Sequence, residues 1–201
     1  MKHTLILALC IMFLGHSAFS SDNGKLAFSY QTGEYSVLGV DGDVDGGLLE
    51  LDLSLLHTFS ANLSFGQLDA DDVDAELTDI RATLRNKFFE KDQISLTAGL
   101  GYGDQSYETL LGDLDGSAVL TELIAGFSVN EKASFAVAVT HAFVTSVTDG
   151  FSKEDITELE ATFDYSINES ISGILSYRSQ ISGDAIFENE GVFTLGIGVN
   201  F

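Results

Sequence analysis

Gly191-Val192-Phe193-Thr194-Leu195-Gly196-Ile197-Gly198-Val199-Asn200-Phe201 ends the chain in strict alternation. In an extended strand successive side chains point to opposite faces. Phe193, Leu195, Ile197, Val199 and Phe201 therefore share one face, and Thr194, Gly196, Gly198 and Asn200 share the other. The last residues of a soluble domain usually fray into water. A strand that stays apolar on one face to its final residue reads instead as a wall meant for lipid.

The opposite end supports the same location. Lys2 supplies a positive charge, Thr4 to Leu14 (TLILALCIMFL) is apolar, and Ala18-Phe19-Ser20 is a small-x-small cleavage site. That is the plan of an export signal over residues 1–20, leaving 21–201 as the mature chain. The apolar run is too short for a transmembrane helix, which needs about 20 such residues. Cys10 lies inside the run and is the only cysteine, so the mature chain has no disulfides. An exported chain without disulfides needs another source of stability, and a closed sheet would supply one.

Composition agrees. There is no proline to interrupt a ladder of backbone hydrogen bonds. A hydrophobic content of 45% coexists with a formal charge of −22, which suits strands that alternate apolar and polar residues. Leu49, Leu51, Leu53 and Leu55 oppose Glu50, Asp52 and Ser54, and Ile80, Ala82 and Leu84 oppose Asp79, Arg81 and Thr83. Leu159, Ala161, Phe163 and Tyr165 oppose Glu158, Glu160, Thr162 and Asp164. Four short turns are expected, at Ser60-Ala61-Asn62, Glu90–Gln93, Asn130–Lys132 and Ile167-Asn168-Glu169. Five longer loops are expected near 36–47, 68–74, 104–116, 145–155 and 181–190. The reading is all-β: a transmembrane up-and-down antiparallel barrel of ten strands, with both termini on the short-turn, periplasmic side. Eight strands is the alternative, at the cost of a far longer loop, and a soluble β-sandwich also alternates. Aromatic residues gather towards both strand ends, as two interfacial girdles would require.

Thr194-x-Gly196-x-x-Val199-x-Phe201 resembles the assembly signal of bacterial outer-membrane barrels: a polar residue, a glycine, and alternate hydrophobic positions ending on Phe. Val199 stands where an aromatic residue is common. With the export signal and the strand rhythm, the chain resembles the small outer-membrane β-barrel proteins of Gram-negative bacteria, the outer membrane protein beta-barrel domain family. That group includes surface-attachment and stress-resistance barrels. The resemblance implies a bacterial outer-membrane location and a monomer. It implies outer-membrane lipid, lipopolysaccharide and the barrel-assembly machinery as partners, with Gly196, Val199 and Phe201 as the assembly signal. No family-specific internal motif is matched.

With the apolar face towards lipid, the other face lines the interior. It then carries Glu50, Asp52, Asp79, Glu122, Glu158, Glu160 and Asp164 with Arg81, Arg85, Lys87 and Arg178. Buried charges must be paired or wetted. About the turn at Asn168, Glu158 is expected opposite Arg178. Gly99, Gly101 and Gly103 would leave room for Arg81, Arg85 and Lys87 to reach towards Glu158, Glu160 and Asp164. This network either holds the barrel shut, giving a structural or surface-interaction protein, or lines a narrow cation-preferring, porin-like pore.

The remaining acid is expected in loops. Asp41, Asp43 and Asp45 followed by Gly46 fit the D-x-D-x-D-G opening of a calcium loop, with Asp52 at the twelfth position. The other reading is a solvated acidic surface. No resident cofactor is expected apart from calcium at such a loop. No enzyme is expected: the mature chain has only His57 and His141, both in the lipid-facing register. No Ser or Asp is placed to form a triad with either. The Asp-Asp and His-Asp pattern of the omptin barrel proteases is not visible. No basic patch offers a site for nucleic acid.

Overall fold

The computed structural model describes residues 24–37, 40–70, 75–109, 112–148, 153–183 and 187–201. The export signal expected over residues 1–20 lies outside them. Ten strands follow in chain order: β1 (Gly24–Val37), β2 (Val40–Ser54), β3 (Phe59–Ala70), β4 (Ala75–Lys91), β5 (Ile94–Thr109), β6 (Gly112–Ser128), β7 (Ala133–Val147), β8 (Ile156–Ser166), β9 (Ile171–Ser182) and β10 (Phe187–Asn200). Each pairs antiparallel with its sequence neighbours, and β1 pairs with β10 to close the barrel. Gly24 and Phe201 exchange two backbone hydrogen bonds of 3.0 Å at the short-turn end. Closure leaves no open sheet edge, which a strand surrounded by lipid could not satisfy with water.

The alternation sorts the side chains as the sequence implies. Leu195 and Ile197 are 67% and 56% exposed, while Thr194 between Phe193 and Leu195 is buried. Phe28, Tyr30, Leu63, Leu84, Leu100, Leu123, Phe163 and Leu175 extend this exposed apolar band around the barrel. A belt of this kind is the outer wall of a transmembrane barrel.

Most of the segments expected as loops are strand instead. Among the described residues, 36–37 and 40–47 belong to β1–β2, 68–70 to β3, and 104–109 and 112–116 to β5–β6, whose hairpins rise above the apolar band; 71–74 lie outside the described residues. There the polarity inverts. The outward face of β2 runs from Leu53, Leu51 and Leu49 to Asp45, Asp43 and Asp41. Inside the same hairpins Tyr35, Val44, Leu68, Leu77 and Tyr107 form a buried hydrophobic cluster with Val192 of β10, and Leu114 packs against it. Below, lipid outside and ions inside set the pattern; above, water outside allows an ordinary hydrophobic core.

The turn expected at Ser60-Ala61-Asn62 is also corrected. Those residues begin β3, and the turn is Leu55–Thr58, closed by Leu55 N–H to the Phe59 carbonyl at 2.9 Å. Asn62 reads as a turn residue but is buried inside, where it donates to Asp52 at 2.8 Å.

Placing a charge in the apolar band should be costly. Ile197→Arg is expected to destabilise the barrel by about 2–4 kcal/mol in urea titrations in lipid vesicles. Thr32→Arg, on the outward face beside Asp45, should cost less than about 1 kcal/mol.

Candidate functional site: the charged barrel interior

The inward positions of β4 carry Asp79, Arg81, Thr83 and Arg85. Opposite them on β5 stand Gly103, Gly101 and Gly99, paired with Arg81, Thr83 and Arg85. The glycines do leave room. A Cβ at position 99 would lie 2.7 Å from the Glu122 carboxylate that Arg85 binds, whereas one at 103 would meet Leu120 at 3.3 Å and Arg81 Cγ at an ordinary 3.7 Å.

Arg81 crosses the barrel. Its Nη1 donates to Glu158 on β8 at 2.5 Å, and its Nη2 lies 2.9 Å from Asp79 on its own strand. Arg178 approaches Asp79 from β9, at 3.8 Å. In a ring of ten strands β4 and β9 face each other across the full diameter, so this cluster spans the interior. Nearer the short turns, Arg85 donates to Glu122 at 2.7 Å and lies 3.4 Å from Asp52. Lys25 on β1 pairs with Asp164 on β8.

Several expected pairings change. Glu160, not Glu158, lies opposite Arg178, and Glu158 lies opposite Gln180. The cause is the turn before β9. The Asn168 side chain accepts from the N–H groups of Ser170 and Ile171, both at 2.9 Å. Ile167 N–H bonds the Ile171 carbonyl at 2.8 Å. The turn therefore runs to Ser170 and displaces the register by two residues.

Lys87 does not join the network. It sits at the short-turn end beside a bulge in β4 and pairs with Glu90 at 2.9 Å. Arg85 turns to Glu122 rather than to Glu158–Asp164. Lys25 was missing from the expected set, although its alternation with Leu26, Phe28 and Tyr30 marks it as inward.

The interior space is divided by these ions. A cavity of about 590 Å³ opens at the short-turn end, between Lys25, Asp52, Glu169 and Asn200. Beyond the ion pairs, about 30 Å³ remains beside Glu50, Glu160 and Arg178. A further 80 Å³ or so lies towards the loop end, lined by Arg81, Glu158 and Asn189.

The acidic hairpins form a second charged surface. Asp41, Asp43 and Asp45 lie in β2 as alternate outward residues of an extended strand, not wrapped around a turn. Among the described residues no group of three or more candidate ligands is placed to hold a metal ion. Repulsion from Asp41, then desolvation and the charges of Glu34 and Glu188, hold the exposed Glu190 carboxyl above its ordinary pKa. Its folded value is raised, so the folded chain keeps this proton to higher pH than the unfolded chain. The resulting stabilisation is lost as pH rises through that folded value. Of the two histidines among the described residues, His57 sits exposed in a turn. His141 faces outward on β7, 2.9 Å from the Thr157 hydroxyl.

No protein-family model matches the sequence, and a comparison with curated proteins gives no match. Solved structures show the fold. An outer-membrane channel from Pseudomonas putida F1 is 12% identical, with 93% of this chain and 98% of that one covered and a TM-score of 0.52. The beta domain of the Bordetella autotransporter BrkA is 12% identical, covering 90% and 100% at 0.53. The outer-membrane protease OmpT from Escherichia coli is 9% identical, covering 92% and 99% at 0.51. The chain shares with them the closed antiparallel barrel. Those three are a channel, an autotransporter domain and a protease, so the shared fold leaves the activity open.

Removing Arg81 should strand two buried carboxylates. Arg81→Leu is expected to cost about 3–5 kcal/mol in urea unfolding. Adding Glu158→Gln should restore part of that loss, giving non-additive costs in the double-mutant cycle. At the acidic surface, a carbon-13 NMR titration should place Glu190 above the usual value of about 4.3. Asp41→Asn should move it down.

Proposed function

We propose that this chain is a non-catalytic outer-membrane barrel whose interior ion pairs keep it shut to solutes. It would act at the cell surface through its acidic hairpins, with both termini periplasmic. The observation that carries the reading is the Asp79–Arg81–Glu158–Arg178 cluster. It joins β4 to β8 and β9 across the diameter, between the wide short-turn cavity and the small loop-end spaces. Buried ions held by several partners resist parting, because separating them leaves charge uncompensated.

The apolar belt, the export segment at Thr4–Leu14 and the alternation of β10 support placement in lipid, with Gly196, Val199 and Phe201 presented to the assembly machinery. The outward acids of β1, β2 and β10 would meet divalent cations, and through them the anionic groups of lipopolysaccharide. A catalytic role has less support: the interior-facing positions of the described strands carry no histidine.

A narrow cation-preferring channel is the second reading, favoured by the excess of interior acids over bases. Single-channel recording of the folded barrel in a planar bilayer separates the two. A silent native barrel is expected, with current steps appearing in Arg81→Ser/Glu158→Ser. Steady cation-selective current through the native barrel would instead establish the channel.

A further inference from the structure

The loop-end cavity contains an unmet demand that the ion-pair cluster does not explain. Asn189, on β10, is 2% exposed, and neither its Oδ1 nor its Nδ2 has a partner. It lies opposite Tyr35, just past the point where the β1–β10 register shifts at Glu34 and Tyr35. The shift leaves Asn189 inside, on the wall of a space of about 80 Å³. A buried primary amide without partners is costly, and native structures seldom leave one so.

The rest of the wall limits what could meet that demand. Arg81 and Glu158 line the same cavity but are already bound to each other. Leu120, Val144 and Ile156 supply apolar surface. Asp115 and Glu154 add acid to the lining of a chain with net charge −22, which disfavours an anion. Asp79 and Glu158 are occupied by arginine, which leaves Asp115 and Glu154 as the acids a competing cation would meet, and a butylammonium comparator tests that occupant. What fits is neutral, offers a donor and an acceptor side by side to the Asn189 amide, and carries a short apolar body. The lining, apolar with a few convergent polar groups, is of the kind that small-molecule sites use, and about 80 Å³ limits the occupant to a few heavy atoms.

We propose that the loop-end cavity binds a small uncharged molecule with an amide-type head on a short apolar tail, held by Asn189. The probe is butyramide, with butyrate and butylammonium as charged comparators of the same tail. Saturation-transfer NMR would be recorded on the folded barrel in detergent micelles and on empty micelles. Butyramide should bind the native barrel in preference to both ions. Asn189→Leu should weaken it about tenfold or more, the scale of one lost hydrogen-bonding group. That variant removes an unpaired buried amide, so its melting temperature should be unchanged or raised. Signal no greater than in empty micelles would mean that water alone occupies the cavity, and would overturn the proposal. Equal binding by Asn189→Leu, or binding of either ion as tight as the amide, would overturn it too. Were Asn189→Leu not to fold, the ranking of the three probes on the native barrel would decide. Amide preference supports the site, and any other ranking sinks it.

Discussion

A backbone surrounded by hydrocarbon finds no water for its N–H and C=O groups, and each unmet group costs several kcal/mol, of order. Everything else in this barrel follows from meeting that demand. The ring closes through β1 and β10, so no strand is left with an unpaired edge. Closure in turn fixes which side chains face in. Because the period of a strand is two, a shift of one residue would send every leucine of the belt inside and the interior carboxylates into lipid.

Once the ring is closed, the interior has its own problem, which is charge in a confined space. Long basic side chains solve it by reaching. Arg81 and Arg85 stand opposite glycines on β5, and at Gly99 the missing side chain leaves the Glu122 carboxylate free to meet Arg85. The glycines of β5 and the arginines of β4 thus form one device written on two neighbouring strands. The same contacts tie opposite walls together and divide the space within.

Strands whose two faces differ were legible in the sequence. Phe193–Phe201 and Leu159–Tyr165 could be assigned to faces from alternation alone, and the strand count followed. The hairpin tops were not legible, because there the polarity reverses. Val44 between Asp43 and Asp45 looks like a residue in an acidic loop, yet it is core. Pairing across the interior was half legible. That Arg81 would reach β8 could be read from the glycines opposite it. The partner of Arg178 could not, since it hinged on how far Asn168 extends one turn. Asn189 carries no signal at all, because its inward orientation depends on one extra residue, Glu190, in its own strand.

The reversal of polarity along β1–β6 also acts as a float line. Pushing the barrel deeper by one residue pair, about 3.4 Å, would draw the level of Asp45 and Thr32 towards hydrocarbon. Lifting it would bring Tyr30 and Leu49 towards water. Both displacements are opposed, so the protein has a restoring force along the membrane normal and a preferred depth. Its acidic crown would then stand at a constant height above the lipid, whatever the bilayer around it does.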